Sequence, residues 1–235
     1  MRILNYVNII LIFLLPLNIY SFDGIGFETY EETIEHFVAS NVPETPLRTA
    51  LSFYFKNRNS FRNKTYISLA DYSQSSREKR LYILNLETGM VQREYVAHGS
   101  GRNRLGFPVA DKNHDGFLNK CKHSKFSRFM RLVKHRRWGM TRPGFMRVDE
   151  TYRSKKFDYG SMKGHNSIRL TGLSRSSKDV RKRSVVIHEA DYVKDESVVQ
   201  GRTLGCPAVP VGRMKHIISK ISGGSLLYSY VPQCM

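Results

Sequence analysis

The chain has 235 residues and carries 38 Lys and Arg against 20 Asp and Glu, a formal net charge of +18. Its hydrophobic fraction of 40% and its three cysteines exclude a disordered tail, a collagen and a disulfide-stapled miniprotein. A pI near 10.0 predicts anionic surroundings, such as a nucleic acid, a membrane surface or an acidic wall polymer. The charge alone does not choose among these three classes.

The N-terminal segment predicts export. The chain starts with Met-Arg, continues with the apolar run IILIFLLPL and reaches a small residue at Ser21. Because the run is short for a membrane-spanning helix and is broken by Pro16, we interpret residues 1–21 as a signal peptide rather than a membrane anchor. The expected location is the periplasm or the cell envelope, or the medium after secretion.

Residues 22–63 are predicted to form a helical N-terminal segment. Apolar residues recur at helical spacing over residues 31–40 and again after Thr45 and Pro46. Thr45 is predicted as the N-cap of the second helix, with Pro46 at its first helical position. Nothing in this segment suggests chemistry.

From Lys64 onward, short runs of β-branched and aromatic residues predict strands. These runs are residues 66–70, 80–86, 91–97, 184–188 and 225–231. Gly89 predicts a hairpin turn between the second and third runs, and helical spacing returns over residues 211–221. The regular βαβ alternation of a doubly wound fold is absent. We therefore predict a mainly β domain over residues 64–235, largely antiparallel, with accessory helices.

The stretch Gly205-Cys206-Pro207 is the most informative for chemistry. A cysteine between Gly and Pro lies on a turn, where its thiol can project into a cleft and nearby N–H groups can receive an oxyanion. His188 ends a predicted strand upstream. A Cys–His pair is the minimum for thiolate chemistry, because the imidazolium lowers the thiol pKa and then returns a proton to the leaving amine. The alternative is a buried structural cysteine and an edge-strand histidine.

The order of these residues resembles the active-site motif of the YkuD-type L,D-transpeptidases. In that motif a His is followed, after a spacer, by Ser/Thr-His-Gly-Cys, and here His188 is followed by Thr203-Leu204-Gly205-Cys206. Leu204 departs from the motif by replacing its second His. Further stretches resemble the murein L,D-transpeptidase catalytic domain subfamily: Asp71 to Ser73, Val96 to Gly99, Ile168 to Leu173, Val186 to Val193 and Gly205 to Pro210.

The resemblance implies a YkuD-like β-sandwich catalytic domain that acts on peptidoglycan stem peptides. Cys206 would attack the carbonyl of the third stem residue and expel the terminal D-Ala, and an amine of a second stem would take the acyl group. His188 would act as base and then as acid, with the carbonyl of Glu189 orienting its imidazole and the N–H groups of Gly205 and Cys206 receiving the oxyanion. The candidate substrate contacts are Arg169, Arg202, His98, Thr203 and Leu204. No cofactor and no metal are implied.

Three alternatives stay open on the sequence. An L,D-carboxypeptidase would use the same Cys–His pair with water in place of the acceptor amine. A non-catalytic wall-binding module would keep the fold without the reaction. A nucleic-acid binder would use the basic segments at residues 128–137 and 175–183, but these have no zinc spacing and no nucleic-acid module, and export argues against DNA or RNA. We expect stem peptides as partners, attraction to anionic wall polymers, and no nucleic acid.

Two further patterns lie between the strands. Residues 111–116 (DKNHDG) resemble the start of a calcium loop, but position 12 is Lys122 in place of the bidentate Glu, so a polar turn is expected. Pairing of Cys121 with Cys234 is a hypothesis that would leave Cys206 as the free thiol of an exported protein.

Overall fold

The computed structural model describes residues 29–101, 110–120 and 139–234. The predicted signal peptide, the segment at residues 128–137, Cys121 and Lys122 lie outside them. In the described ranges the elements are α1 (Tyr30–Ala39), α2 (Glu44–Lys56), β1 (Tyr66–Asp71), β2 (Leu81–Asn85), β3 (Val91–Glu94), β4 (Gly144–Tyr152), β5 (Ser167–Gly172), β6 (Val186–Glu189), β7 (Ala208–Val209), α3 (Met214–Ile221) and β8 (Ser225–Tyr230). None of the helices in these ranges has the length and apolar character of a membrane span.

The strands form one sheet in the order β3-β2-β1-β8-β4-β5-β6-β7. Neighbouring strands run antiparallel, except that β1 pairs with β8 and β6 pairs with β7 in parallel. Beyond β3 the chain reaches Ala97, which pairs with Ala208 of β7. The two edges of the sheet therefore meet, and the sheet curls almost into a barrel. The mainly β fold class predicted from the sequence is confirmed.

Helices cover the sheet on both faces. Phe37 of α1 and Leu51 of α2 are buried together with Leu69 of β1 and Tyr228 of β8. The other face packs against α3, whose buried residues are Met214, Ile217 and Ile221. The N-terminal helices thus share a hydrophobic core with the strands, and the domain boundary between residues 63 and 64 stays a prediction.

The start of α2 differs from the sequence prediction. The helix begins at Glu44, its N-cap is Pro43, and Thr45 lies inside the first turn rather than at the cap. The acidic side chain of Glu44 is favourable at the positive end of the helix dipole. Pro46 is tolerated in the first turn because its missing N–H would have no partner within the helix there. The hairpin turn between β2 and β3 is confirmed, with Gly89 at a φ of +72°.

Candidate active site

Strands β6 and β7 bring His188 and Cys206 to adjoining positions in the sheet. His188 pairs with Ala208, and its backbone N–H donates to the carbonyl of Pro207, the residue after Cys206, at 3.3 Å. Cys206 is a free, partly buried cysteine, whereas Cys234 is disulfide-bonded. His188 therefore lies in β6, and Cys206 lies in the turn that leads into the neighbouring strand β7.

The imidazole of His188 is held in one orientation. Its Nδ1 lies 2.7 Å from the carbonyl oxygen of Glu189. Because a carbonyl can only accept, Nδ1 carries the proton and Nε2 keeps the lone pair. The ring of Phe157 stacks on the imidazole, with 3.6 Å between ring centroids and 12° between ring planes. An imidazole in this tautomer acts as a base through Nε2.

Both members of the Cys–His pair are neutral at rest. Burial lowers the pKa of His188 to about 4, and the charge of Lys156 acts in the same direction. Burial also raises the pKa of the Cys206 thiol above its ordinary range, although the Val186 N–H and the charges of Arg183 and Lys156 oppose the rise. Burial thus favours the neutral forms of both groups over the imidazolium and thiolate expected from the sequence.

Thr203 fixes the turn that carries Cys206. Its hydroxyl donates to the carbonyl of Cys206 at 2.8 Å and accepts the N–H of Gly205 at 2.9 Å. Its backbone N–H donates to the carbonyl of His98 at 2.9 Å. Two sequence predictions are corrected: the Gly205 N–H is engaged within the turn instead of facing an oxyanion, and Thr203 is 4% exposed and positions the turn instead of contacting substrate.

The two arginines predicted to bind a substrate carboxylate make contacts elsewhere. Arg169 lies 3.3 Å from the Glu150 carboxylate, and its guanidinium lies over the Tyr152 ring at 4.2 Å. Arg202 donates to the backbone carbonyl of Asp111 at 2.7 Å. The sequence could not show these contacts because the partners are distant along the chain, and the binding of a substrate carboxylate by either arginine stays a prediction.

The charges that act on the thiol come from Arg183 and Lys156, which the sequence analysis did not select. Lys156 lies in a short 3₁₀ turn before β5. Arg183 lies just before β6, the strand that ends next to His188. Besides its place at the end of the basic segment 175–183, its sequence signal is that proximity, because a basic loop residue ordinarily indicates a solvated surface.

His98 belongs to a buried polar network rather than to the wall of a cleft. Its Nδ1 accepts from Nη2 of Arg80 at 2.9 Å, and its Nε2 lies 3.6 Å from Oδ2 of Asp111. Burial lowers the pKa of His98, so the ring is neutral and presents its Nε2–H toward the carboxylate. The prediction that His98 contacts substrate is corrected, since its side chain is fully buried.

In the loop at residues 111–116, the carboxylate of Asp111 is buried in the protein interior. Oδ1 of Asp111 accepts the N–H of Asp115 at 3.1 Å, and the other oxygen faces His98. Gly116 follows at a φ of +90°. Across the part of the chain that the structure describes, no three His, Cys, Asp or Glu side chains are grouped as metal ligands.

Leu204, one of the predicted substrate contacts, lies on the surface of the turn that carries Cys206. It is 48% exposed, and the backbone of Gly139 lies close enough that a Cβ there would come within 3.0 Å of Leu204. Its contribution to substrate binding stays a prediction, as do the catalytic roles of Cys206 and His188.

A family model decides the assignment. The model of the L,D-transpeptidase catalytic domain matches residues 39–230. The chain belongs to this family. The resemblance predicted from the ordered motifs is therefore confirmed.

Two solved structures are similar to this L,D-transpeptidase domain. The protein Bd1075 of Bdellovibrio bacteriovorus is 14% identical with a TM-score of 0.38, over 73% of this chain and 49% of that one. The chain thus spans about half the length of that protein. An L,D-transpeptidase from Xylanimonas cellulosilytica is 13% identical with a TM-score of 0.33, over 84% of this chain and 77% of the other. No curated protein matches the chain.

In this L,D-transpeptidase domain a loop between β4 and β5 holds Phe157 against His188. The side chain of Asn166 accepts the N–H of Ser154 at 2.8 Å and donates to the carbonyls of Ser154 and Phe157, both at 3.0 Å. Asn166 is buried, so this clamp is shielded from water. The stacked ring therefore has a fixed backbone beneath it, and the sequence analysis missed both residues.

The side chain of Glu189 supports the same region. One carboxylate oxygen accepts from the hydroxyl of Ser161, and the other accepts the N–H of Gly212 at 2.9 Å. Because these bonds join the loop before β5 to the segment after β7, they hold the backbone whose carbonyl orients His188.

Removal of the Phe157 ring should shift the acid limb of the pH–activity profile to higher pH. In Phe157→Ala, water reaches the imidazole and the desolvation that lowers the His188 pKa weakens. We expect the pKa that controls the acid limb of kcat/KM to rise from about 4 toward 6.5. With neutral His188 as the predicted base, the variant should lose activity between these two pH values and keep more of it at higher pH.

The pH profile of acyl-enzyme formation measures this shift. Phe157→Leu is the matched control, because it keeps an apolar cover over the imidazole and should move the limb much less. An acid limb at the same pH in Phe157→Ala and wild type would contradict the role assigned to the ring.

Proposed function

We propose that this protein is an exported murein L,D-transpeptidase, a cysteine acyltransferase acting on the stem tetrapeptides of peptidoglycan. The observation that carries the proposal is the pairing of β6 with β7, because it sets the free thiol of Cys206 beside the strand of His188, whose Nε2 keeps its lone pair. Membership of the L,D-transpeptidase family supports the substrate class. The net charge of +18 favours attraction to anionic wall polymers.

The proposed location is the cell envelope or the periplasm. The charged start and apolar run of residues 1–21 support export, and the disulfide at Cys234 fits an oxidising compartment. The intact mass of protein recovered from the envelope tests this part of the proposal. Removal of residues 1–21 is expected, and a retained N-terminus contradicts it.

The first half of the reaction forms a thioester. As Sγ of Cys206 bonds to the carbonyl carbon of the third stem residue, its proton passes to Nε2 of His188 and the carbonyl π electrons move to oxygen. Collapse of this tetrahedral intermediate breaks the C–N bond to the terminal D-Ala, whose nitrogen takes the proton from the imidazolium. The hydrogen bond from Nδ1–H to the Glu189 carbonyl keeps the ring oriented and stabilises its transient charge.

The second half transfers the acyl group. An amine of a second stem attacks the thioester carbonyl and gives its proton to Nε2 of His188. The C–S bond then breaks, and the departing sulfur of Cys206 takes the proton back, which restores the neutral pair and leaves a 3–3 crosslink. Water in place of the amine gives a shortened stem, the product of an L,D-carboxypeptidase.

Incubation of the purified protein with tetrapeptide muropeptides tests the proposal. We expect crosslinked dimers and free D-Ala by liquid chromatography and mass spectrometry, together with a stem-peptide adduct on Cys206 in the intact protein. Tripeptides without dimers would identify the carboxypeptidase reaction instead. Unchanged muropeptides and an unmodified Cys206 would contradict enzymatic function and favour a wall-binding module.

A further inference from the structure

The N–H groups of Gly205 and Cys206, the predicted oxyanion donors, differ in their hydrogen bonding. The N–H of Gly205 goes to the Thr203 hydroxyl at 2.9 Å, whereas the N–H of Cys206 makes no hydrogen bond to the residues that the structure describes. Acyl-transfer sites stabilise the tetrahedral intermediate with several donors aimed at the developing charge. A cation beside the turn would add to the stabilisation that the N–H of Cys206 can supply.

The guanidinium of Arg183 is anchored beside this turn. Its Nη2 lies 3.2 Å from the position that a Cβ on Gly205 would occupy. Nη1 and Nη2 donate to the carbonyl of Met140 at 3.3 and 3.4 Å. The residue that follows, Ser184, has its carbonyl 3.9 Å from Sγ of Cys206. Arg183 thus approaches the nucleophile both through its side chain and through the adjoining backbone.

We propose that Arg183 is a catalytic residue, whose guanidinium stabilises the negative charge that passes from the sulfur of Cys206 to the carbonyl oxygen of the tetrahedral intermediate. The inference rests on the proposed function. Arg183 exchanges no proton and forms no bond to the substrate carbon, because a guanidinium stays protonated throughout. Glycine at position 205 makes the approach possible, since a Cβ there would also lie 2.6 Å from the carbonyl of Met140.

Other cations near the site fit this role less well. Lys156 also acts on the thiol, but its side chain is exposed on the loop before β5, where water and salt screen its charge. Arg169 and Arg202 are not among the charges that lower the pKa of the Cys206 thiol. Arg183 is partly buried and already opposes the rise in the Cys206 pKa that burial causes.

Acylation rates with two donor peptides test the proposal. Single-turnover acyl-enzyme formation is measured for wild type, Arg183→Met, Arg183→Lys and the control Arg181→Met, whose guanidinium pairs with Glu150 instead. The donors are a stem tetrapeptide with its free C-terminal carboxylate and the same peptide as a carboxamide. We expect Arg183→Met to be slower by about 10² to 10³-fold with both donors, with KM little changed and Arg183→Lys intermediate.

Two results would overturn the proposal. A loss confined to the carboxylate donor would mean that Arg183 binds the terminal carboxylate of the stem, and an unchanged rate with both donors would mean that it has no role in acylation. Should Arg183→Met not fold, as judged by circular dichroism, the comparison of Arg183→Lys with Arg181→Met decides in the same way.

A second measurement needs no stem peptide. Alkylation of Cys206 by iodoacetamide is followed against pH by peptide mass mapping. Loss of the Arg183 charge should move the reaction of the thiol to higher pH in Arg183→Met and not in Arg181→Met. An unchanged profile overturns the proposal, even where wild type forms no acyl-enzyme, so failure of the proposed function is distinguishable from failure of this inference.

Discussion

Cys206→Ser should abolish crosslink formation, with acyl-enzyme formation at least about 10⁴-fold slower than in wild type. The substitution keeps the turn and replaces a thiol by a hydroxyl, whose proton is far harder to remove. His188 has a pKa of about 4 and is therefore too weak a base to activate that hydroxyl. Dimers and free D-Ala should fall below detection, and the intact protein should carry no stem-peptide adduct.

The controls separate chemistry from folding. Cys206→Ala removes the nucleophile altogether and should be as inactive as Cys206→Ser, with thermal unfolding close to that of wild type because Cys206 is only partly buried. Ser219→Ala changes an exposed residue of α3 and should keep full activity. Crosslinked product from Cys206→Ala at the wild-type rate would place the nucleophile elsewhere and contradict the mechanism.

Because Cys206 and His188 are neutral at rest, we expect the nearby cations to act on charge that develops during the reaction. A buried thiol and a buried neutral imidazole do not ionise each other at rest, so negative charge appears on sulfur only as substrate is attacked. The charges of Arg183 and Lys156 act on the thiol, and burial, to which the stacked ring of Phe157 contributes, favours the neutral form of His188. Reactivity is thereby tied to the bound substrate rather than to a standing thiolate that any electrophile could modify.

The sequence predicts the features of the site that local chemistry determines. Gly205 and Pro207 mark a turn at Cys206, and β-branched residues mark the strand that ends next to His188, so the pair could be found without coordinates. The sequence could not predict the hydrogen bond that Gly205 donates to Thr203, because that bond depends on the conformation of the turn.

The sequence does not predict β4, since its pattern includes charged residues that read as surface. In the structure these charges are paired within the sheet: the carboxylate of Asp149 accepts from Arg147 of the same strand at 2.6 Å and from the hydroxyl of Thr171 on β5. For the same reason the sequence could indicate candidate arginines for the site but could not show that Arg183, rather than Arg169, lies beside the cysteine turn. A charge is a local property, whereas its partner is set by the fold.

Arg80 shows how a buried charge connects this site to the rest of the fold. It is fully buried, and burial lowers its pKa to about 10, so it stays protonated at neutral pH. Its guanidinium lies over the ring of Tyr72 at 4.9 Å. It donates to the carbonyl of Val96 at 3.1 and 3.2 Å, of Gln74 at 2.6 Å and of Gly116 at 3.3 Å, and to Nδ1 of His98 at 2.9 Å.

Arg80→Met should lower the free energy of unfolding by about 3 to 5 kcal/mol, because it leaves buried acceptors without a donor. This corresponds to a melting temperature lower by roughly 6 to 20 °C for a chain of this size. Acylation should slow as well, since the backbone carbonyl of His98 holds the N–H of Thr203 in the cysteine turn.

Denaturant and thermal unfolding of the oxidised protein measure the effect, with Arg77→Met as the control. Arg77 is exposed three residues before Arg80, and its loss should change stability by no more than about 0.5 kcal/mol. An Arg80→Met protein as stable as wild type would mean that desolvation of the guanidinium offsets all of its hydrogen bonds. The turn that presents Cys206 would then depend on its own Thr203 contacts and not on the buried cation.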